Sequence, residues 1–158
     1  MKKENILNII RIALGFVFLW AFVDKLVGLG FATTRDKSWL AGGSPTTGFL
    51  TYGVKGPFAD FFGSLAGVSF VDWMFMLGLL FVGLTLCTGI YVRAGAAIGI
   101  IMLMLMYLAL MLPENNPIID DHIVYSLILL YIMHTDTKHC WCLSKKCNHE
   151  NTSDRNIV

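Results

Sequence analysis

Charged side chains are scarce in this sequence. Only 15% of its 158 residues carry a charge, whereas 56% are apolar. The apolar residues also cluster, and residues 73–91 and 94–112 each form a run of 19 residues without a charge. A soluble domain of this length needs more polar surface. A soluble all-α protein is therefore the weaker alternative, because these runs lack a polar face.

Sequence signatures of bound redox cofactors are also missing. The chain has no flavin or dinucleotide fingerprint and no C-x-x-C-H sequence for haem attachment. His122 and His134 lie twelve residues apart in one apolar segment, too far to hold one haem between them. Any redox chemistry would therefore need a membrane quinone, a metal bound in the tail of the chain or a partner subunit.

The long apolar runs predict membrane-spanning helices. At ~1.5 Å per residue, a helix of 19 residues is long enough to cross most of a hydrocarbon core of about 30 Å. Lipid offers no hydrogen-bond partners to the backbone N–H and C=O groups, so a single segment must satisfy them internally as a helix. Two further apolar segments, one at each end of this region, include a few charged residues and are also read as helices. Gly95 and Gly99 are four residues apart, a spacing that lets membrane helices pack closely.

The resulting prediction is an all-α integral membrane four-helix bundle. We expect the helices at about residues 6–30, 70–91, 93–112 and 117–135. The membrane domain then covers residues 1–135, and a Cys- and His-containing tail covers residues 136–158.

Basic residues are distributed asymmetrically about these helices. Lys2, Lys3, Arg93 and the four basic residues of the tail would lie on one side of the membrane. The four basic residues on the other side are spread over one long loop. Because basic residues in short flanks mark the cytoplasmic side, we expect a multi-pass protein of the cell membrane with both termini in the cytoplasm.

The long extracytoplasmic loop, residues 32–69, joins the first two predicted helices. Loops of this length usually have a function. Ser-Pro at 44–45 and Gly-Pro at 56–57 are typical helix starts. We therefore expect two short interfacial helices in the outer leaflet. Asp72, three residues after Ser69, is expected to cap the next helix.

Three ionisable residues, Asp120, Asp121 and His122, stand at the start of the fourth predicted helix. The topology places them at the same depth as Asp24, near the outer end of the first helix. Ionisable groups in membrane helices are costly unless paired and usually mark function. Simple helix capping by the two aspartates stays open as an alternative, but it does not account for Asp24.

We interpret these residues as an outer polar site for protons or substrate. The catalytic residues are expected to be Asp24, Asp121 and His122, since imidazole titrates near neutral pH and neighbouring carboxylates favour sharing a proton. The expected substrate-binding residues are Trp20, Lys25, Trp39, Asp120 and Tyr125. Lys25, like Arg11, is expected to extend its charged group to the membrane interface.

The tail concentrates three of the four cysteines in "HCWCLSKKCNH", residues 139–149. A structural disulfide is not expected in the cytoplasm. Cys140, Cys142, Cys147 and His149 could close a tetrahedral zinc or iron site, although their spacing, C-x-C-x4-C-x-H, is not a common one. Free thiols are the alternative.

Several short motifs together resemble the DoxX family of small four-helix membrane proteins. They are "RIALGFVFLWAFVDKL", "GSPTTGFL", "GPFADFF", "LGLLFVGLTLCTGIYVR" and "NNPIIDDHIVY", and they span about residues 9–133. The family includes the DoxD-type subunit of thiosulfate:quinone oxidoreductase. The cysteine-rich tail falls outside the resemblance.

The resemblance implies a membrane subunit of a quinone-linked redox complex that acts on a small sulfur substrate. Asp24, Asp121 and His122 would then handle the protons of quinone chemistry at the outer surface. A small-solute transporter, or a scaffold for a partner protein, is the alternative. The expected partners are the lipid bilayer and a redox subunit or further copies of the chain, with no nucleic acid.

The tail hypothesis predicts a stoichiometric metal. If the three tail cysteines bind metal, the purified protein should contain roughly one zinc or iron ion per chain by elemental analysis. Replacement of Cys140, Cys142 and Cys147 together by serine should remove it. Metal-free protein with three freely reactive thiols would instead support the alternative of free cysteines.

Overall fold

The computed structural model describes residues 3–111 and 118–135. Six α-helices occur in these ranges: α1 Lys3–Val27, α2 Thr47–Tyr52, α3 Ala59–Gly63, α4 Ser69–Thr88, α5 Val92–Ala109 and α6 Asp121–His134. Two 3-10 turns, Arg35–Lys37 and Trp39–Ala41, precede α2. These described ranges contain no strand, and the prediction of an all-α chain is confirmed for them.

Three of the helices have the length and composition to cross a membrane. They are Asn5–Val27 within α1, Ser69–Thr88 and Val92–Ala109. The fourth apolar helix, α6, has only 14 residues. Large apolar side chains on the outside of the long helices, such as Phe16 and Ile101, are each 58% exposed. Helices that are apolar on all sides are compatible with the predicted membrane protein.

The long helices and α6 meet in one layer around Gly99 of α5. A Cβ atom built on Gly99 would lie 2.9 Å from Leu129 of α6, 3.2 Å from Val82 of α4 and 3.7 Å from Phe18 of α1. Neighbouring helices pack in the order α1, α4, α5, α6, and a smaller contact joins α1 to α6. We call this level the Gly99 layer and measure the depth of other residues along the four helices from it.

Gly95, one turn from Gly99, allows close approach of α4 and α5. A Cβ atom on Gly95 would overlap the Thr85 hydroxyl and would lie 2.8 Å from Thr85 Cβ. Both glycines are buried in helix contacts. Their predicted packing role is therefore confirmed.

Several helix boundaries differ from the prediction by a few residues, and local capping explains two of them. α1 ends at Val27 rather than at residue 30, since Gly28 adopts a left-handed conformation with φ of 70°. The Gly28 N–H still donates to the Asp24 carbonyl, which closes the last turn. α6 begins at Asp121, and the Asp120 side chain is its N-cap.

The prediction that Asp72 caps α4 is wrong. α4 begins at Ser69, and its N-cap residue, Val68, makes no side-chain hydrogen bond to the helix. Asp72 lies in the first turn, is 7% exposed and accepts hydrogen bonds from Ser44 and Thr46 of the preceding loop. The loop folds back onto α4, and sequence spacing alone does not reveal this contact.

The expectation that Arg11 reaches toward the membrane interface is also wrong. Arg11 is only 1% exposed, and its Nη1 would lie 2.5 Å from a Cβ atom at Gly89. Gly89 is the left-handed C-cap of α4. A guanidinium suits this position because the last carbonyls of a helix carry a partial negative charge.

The packing at Gly95 predicts a large difference between two glycine substitutions. Gly95→Ala should lower the free energy of unfolding by about 1–3 kcal/mol, because overpacking forces α4 and α5 apart. Gly48→Ala is the matched control, since a Cβ atom there would meet nothing within 4 Å and alanine favours a helix. Denaturant unfolding in detergent measures both variants. Equal stability of the two variants would contradict the packing role.

Candidate functional site

Asp24 and His122 lie at similar distances from the Gly99 layer, on the side where the α1–α4 loop (residues 28–68) is found. Asp24 is six residues beyond Phe18 in α1, a rise of about 9 Å. His122 is seven residues before Leu129 in α6, which corresponds to a distance of roughly 10 Å along the helix axis. We call this side of the helices the loop end.

The Asp24 carboxylate holds the start of the loop. Asp24 is 2% exposed, its Oδ1 accepts a hydrogen bond from the Phe31 N–H at 3.3 Å, and its Oδ2 accepts one from the Ala32 N–H at 3.0 Å. Both carboxylate oxygens are thus satisfied by backbone that turns back over the end of α1. This contact explains how an acidic residue is accommodated in an apolar helix.

The Asp72 carboxylate holds the middle of the loop in a similar way. Its Oδ1 accepts hydrogen bonds from Ser44 Oγ at 2.8 Å and from the N–H of Thr46 at 3.2 Å. Ser44 Oγ in turn accepts the Thr47 N–H, and the Thr47 hydroxyl accepts the N–H of Gly67. The network connects α4 to the start of α2 and to Gly67, which follows α3.

A third contact joins the loop to α5. The Lys55 N–H donates to the Ala109 carbonyl at 2.9 Å, at the end of α5. The loop is thereby attached to α1, α4 and α5 by hydrogen bonds to separate segments. It covers their ends as a folded structure, which agrees with its unusual length.

Asp120 and His122 are hydrogen-bonded to each other at the start of α6. Asp120 Oδ2 lies 2.7 Å from His122 Nδ1, and Asp120 Oδ1 accepts the Ile123 N–H at 3.2 Å. The two side chains are 13% and 19% exposed. Asp120 is therefore a helix cap, as the alternative interpretation proposed, and it also orients the imidazole.

The remaining predicted site residues have different surroundings. Asp121 is exposed, whereas Tyr125 packs against the buried core. Trp20 is 41% exposed and contacts Phe31 edge to face at 5.2 Å. Trp39 packs edge to face on Trp73 at 4.6 Å, and Lys25 Nζ lies 5.9 Å from the Phe75 ring centre. Trp20 of α1 thus contacts the start of the loop, and Trp39 of the loop packs against α4.

The hydrogen bonds and ion pairs of the described residues give Asp24 and the Asp120–His122 pair separate partners. A single site that includes all three residues stays a prediction. No group of three metal-ligating side chains occurs within residues 3–111 and 118–135. The predicted metal ligands Cys140, Cys142, Cys147 and His149 lie outside the described residues.

A hollow of about 500 Å³ lies between α2 and α3, and none of the predicted site residues lines it. The residues around it are Leu50, Thr51, Val54, Ala59, Asp60, Gly63 and Ser64. It is open to the outside, with a single carboxyl group in its wall. The arrangement has no second ionisable group to support catalysis.

Sequence reasoning missed one polar residue of α6. Ser126 is 8% exposed, and its hydroxyl has no hydrogen-bond partner among the described residues. Its only signal in the sequence is its position four residues after His122, which puts both on neighbouring turns of the helix. A single serine in an apolar helix is otherwise unremarkable, because its burial and partners depend on the fold.

The Asp72 network predicts that the loop loosens when this carboxylate is removed. Asp72→Ala leaves the donors of Ser44 and Thr46 without their acceptor, which should lower the free energy of unfolding by roughly 1–3 kcal/mol. Limited proteolysis should then cut residues 44–67 faster than in the wild type. Asp60→Ala is the control, since Asp60 is exposed and should change stability by only a few tenths of a kcal/mol. Equal cleavage of both variants would exclude the proposed attachment.

Comparisons with protein families, with curated proteins and with solved structures found no match to this chain. The resemblance to the DoxX family therefore rests on the sequence motifs quoted above. The description of the site depends only on the residues and contacts of the chain itself.

Proposed function

We propose that the chain is a membrane subunit of a quinone-linked redox complex, similar to the DoxD-type subunit of thiosulfate:quinone oxidoreductase. The observation that carries this proposal is the 2.7 Å contact between Asp120 and His122 at the start of an apolar helix. A carboxylate that binds one nitrogen of an imidazole leaves the other nitrogen to exchange a proton. The pair is therefore suited to supplying protons next to the membrane.

The proposed topology has four crossings, with both termini in the cytoplasm and the α1–α4 loop outside. Three helices have the length for a crossing. With α6 as the fourth, the number of crossings is even, and both termini lie on the same side of the membrane. The 14 residues of α6 extend about 21 Å, less than a hydrocarbon core of about 30 Å. The Asp120–His122 pair would thus lie slightly below the outer membrane surface, where both water and a membrane-dissolved substrate can reach it.

The proposed reaction needs protons at this position. Two-electron reduction of a quinone to a quinol takes up two protons, while the oxidation of two thiosulfate ions to tetrathionate releases two electrons. His122 would deliver protons to the reduced quinone and would be reprotonated from water beside the exposed Asp121. Electrons would reach the quinone through a partner redox subunit.

The second candidate is a scaffold for a partner protein or a small-solute transporter. The observation that favours it is the number of exposed apolar side chains on the loop. Phe31, Leu40 and Tyr52 are 73%, 72% and 86% exposed. Such residues are typical of a surface that contacts another protein or a lipid interface.

The proposal is tested by thiosulfate-dependent quinone reduction in membranes that contain the full chain and its native partners. His122→Gln should lower the rate by about 10²-fold or more, as expected for loss of a proton donor. His134→Gln is the matched control, because His134 lies exposed at the opposite end of α6 and binds the Leu130 carbonyl. Its rate should equal the wild-type rate.

The outcomes separate the two candidate functions. Purified protein should retain extractable quinone, and its optical spectrum should change when thiosulfate is added in the presence of the partner. A chain without quinone and without activity would exclude the redox function and favour the scaffold or transporter. Full activity of His122→Gln would exclude the Asp120–His122 pair as the proton donor.

A further inference from the structure

Ser126 occupies an unusual position on the buried face of α6. It shares this face with Leu129 and Ile132, both of which are fully buried. Ser126 itself is 8% exposed, and its Oγ has no hydrogen-bond partner among the described residues. A buried hydroxyl without a partner is destabilising, because it has lost the hydrogen bonds that it made to water.

Three threonine hydroxyls of α4 and of the end of α6 are paired with a carbonyl of their own helix. Thr85, Thr88 and Thr135 each donate to the carbonyl four residues earlier, at distances of 2.7–2.9 Å. This is the usual arrangement for serine and threonine inside helices. Ser126 could donate in the same way to the His122 carbonyl, yet it does not. Its hydroxyl is thus available to a group from outside the helix.

Ser126 and His122 lie on adjacent turns of α6, four residues apart. Side chains with this spacing are neighbours, with their Cβ atoms ~6 Å apart. The described contacts of His122 use Nδ1, which binds Asp120. Nε2 is the ring nitrogen on the far side from this bond. When the imidazole is protonated, Nε2 carries a hydrogen as well as Nδ1. One oxygen atom placed between Nε2 and the Ser126 hydroxyl can then accept a hydrogen bond from each.

The depth of the two groups limits the chemical class of the ligand. Ser126 is three residues before Leu129, which lies in the Gly99 layer. Ser126 is therefore about 4–5 Å from this layer along the helix axis, whereas His122 is roughly 10 Å from it. The pair thus extends from the loop end into the apolar interior. This depth favours an apolar ring with a carbonyl oxygen as the class of ligand, because such a ligand needs few polar contacts. A fully charged ligand would lose too much solvation there.

We infer that Ser126 Oγ and His122 Nε2 together bind one ring carbonyl oxygen of a quinone. This inference rests on the function proposed above and assigns a binding residue to that site. The two hydrogen bonds favour the negative charge that grows on the oxygen as two electrons arrive from the sulfur substrate. The oxygen then takes the Nε2 proton of the protonated imidazole, and the second carbonyl oxygen takes a proton from water. A further proton from water restores the imidazole, so both protons of the quinol come from the solvent.

The experiment measures quinone binding to the purified full-length chain in lipid nanodiscs. A short-chain benzoquinone is titrated, and infrared difference spectra record its carbonyl stretching band. Loss of one hydrogen bond in Ser126→Ala should weaken binding about tenfold, equivalent to ~1.4 kcal/mol, and should move the carbonyl band toward its frequency in an apolar solvent. Thr88→Ala is the matched control, since its hydroxyl already binds Leu84. Its affinity and band should equal those of the wild type.

Thermal unfolding separates binding from structural effects. Because the Ser126 hydroxyl has no partner, Ser126→Ala should unfold at the wild-type temperature or above it. Wild-type affinity and an unshifted band in Ser126→Ala would overturn the inference while leaving the redox function intact. Weaker binding without a band shift would also overturn it, because the effect would come from packing. A wild-type chain that binds no benzoquinone would exclude the proposed function together with this inference.

Discussion

Polar groups among apolar helices require hydrogen-bond partners within the protein, because lipid provides none. This requirement determines how the loop end is built. Asp24 binds two backbone N–H groups at the start of the α1–α4 loop, and Asp72 binds Ser44 and Thr46 in its middle. The same requirement applies at the other end, where the buried Arg11 lies against Gly89 at the end of α4. Charged residues in this chain thus fix the connections between helices.

Close packing through glycine sets the positions of the functional groups. Gly99 brings Phe18, Val82 and Leu129 to one level, so groups on different helices have defined relative depths. Asp24 and His122 both lie about 9–10 Å from that level. Their polar contacts nevertheless differ. Both carboxylate oxygens of Asp24 accept hydrogen bonds from the loop, whereas the described hydrogen bond of His122 uses only Nδ1. The proposed proton transfer is therefore argued from α6, and the contacts of Asp24 hold the start of the loop.

Asp120 uses its two carboxylate oxygens for two different contacts. Asp120 satisfies a backbone N–H at the start of α6 with one oxygen and binds the His122 imidazole with the other. Capping alone would use only the first oxygen. The second contact orients the ring, which is a requirement for directed proton transfer. Ser126 extends this arrangement by one helical turn into the apolar interior.

The all-α fold and the approximate helix positions could be predicted from the sequence, because uncharged runs of 19 residues leave helices as the structure that satisfies the backbone. Packing at Gly95 and Gly99 was also predictable, since small residues at helical spacing indicate close contact. The partners of Asp72 and Arg11 were not. Asp72 was expected to cap its own helix, and Arg11 was expected to extend outward. Both instead contact segments that are distant in sequence.

Sequence spacing determined which residues share a turn of α6, and so placed His122 beside Asp120 and one turn from Ser126. Only the tertiary structure decided which of these groups are satisfied. Burial depends on the neighbouring helices, and the loop that binds Asp24 and Asp72 reaches them by folding back from residues 7 to 28 positions away in the chain. Local patterns describe contacts within one helix or turn. They carry no information on which distant backbone group will meet a buried carboxylate, because that meeting depends on the packing of the whole chain.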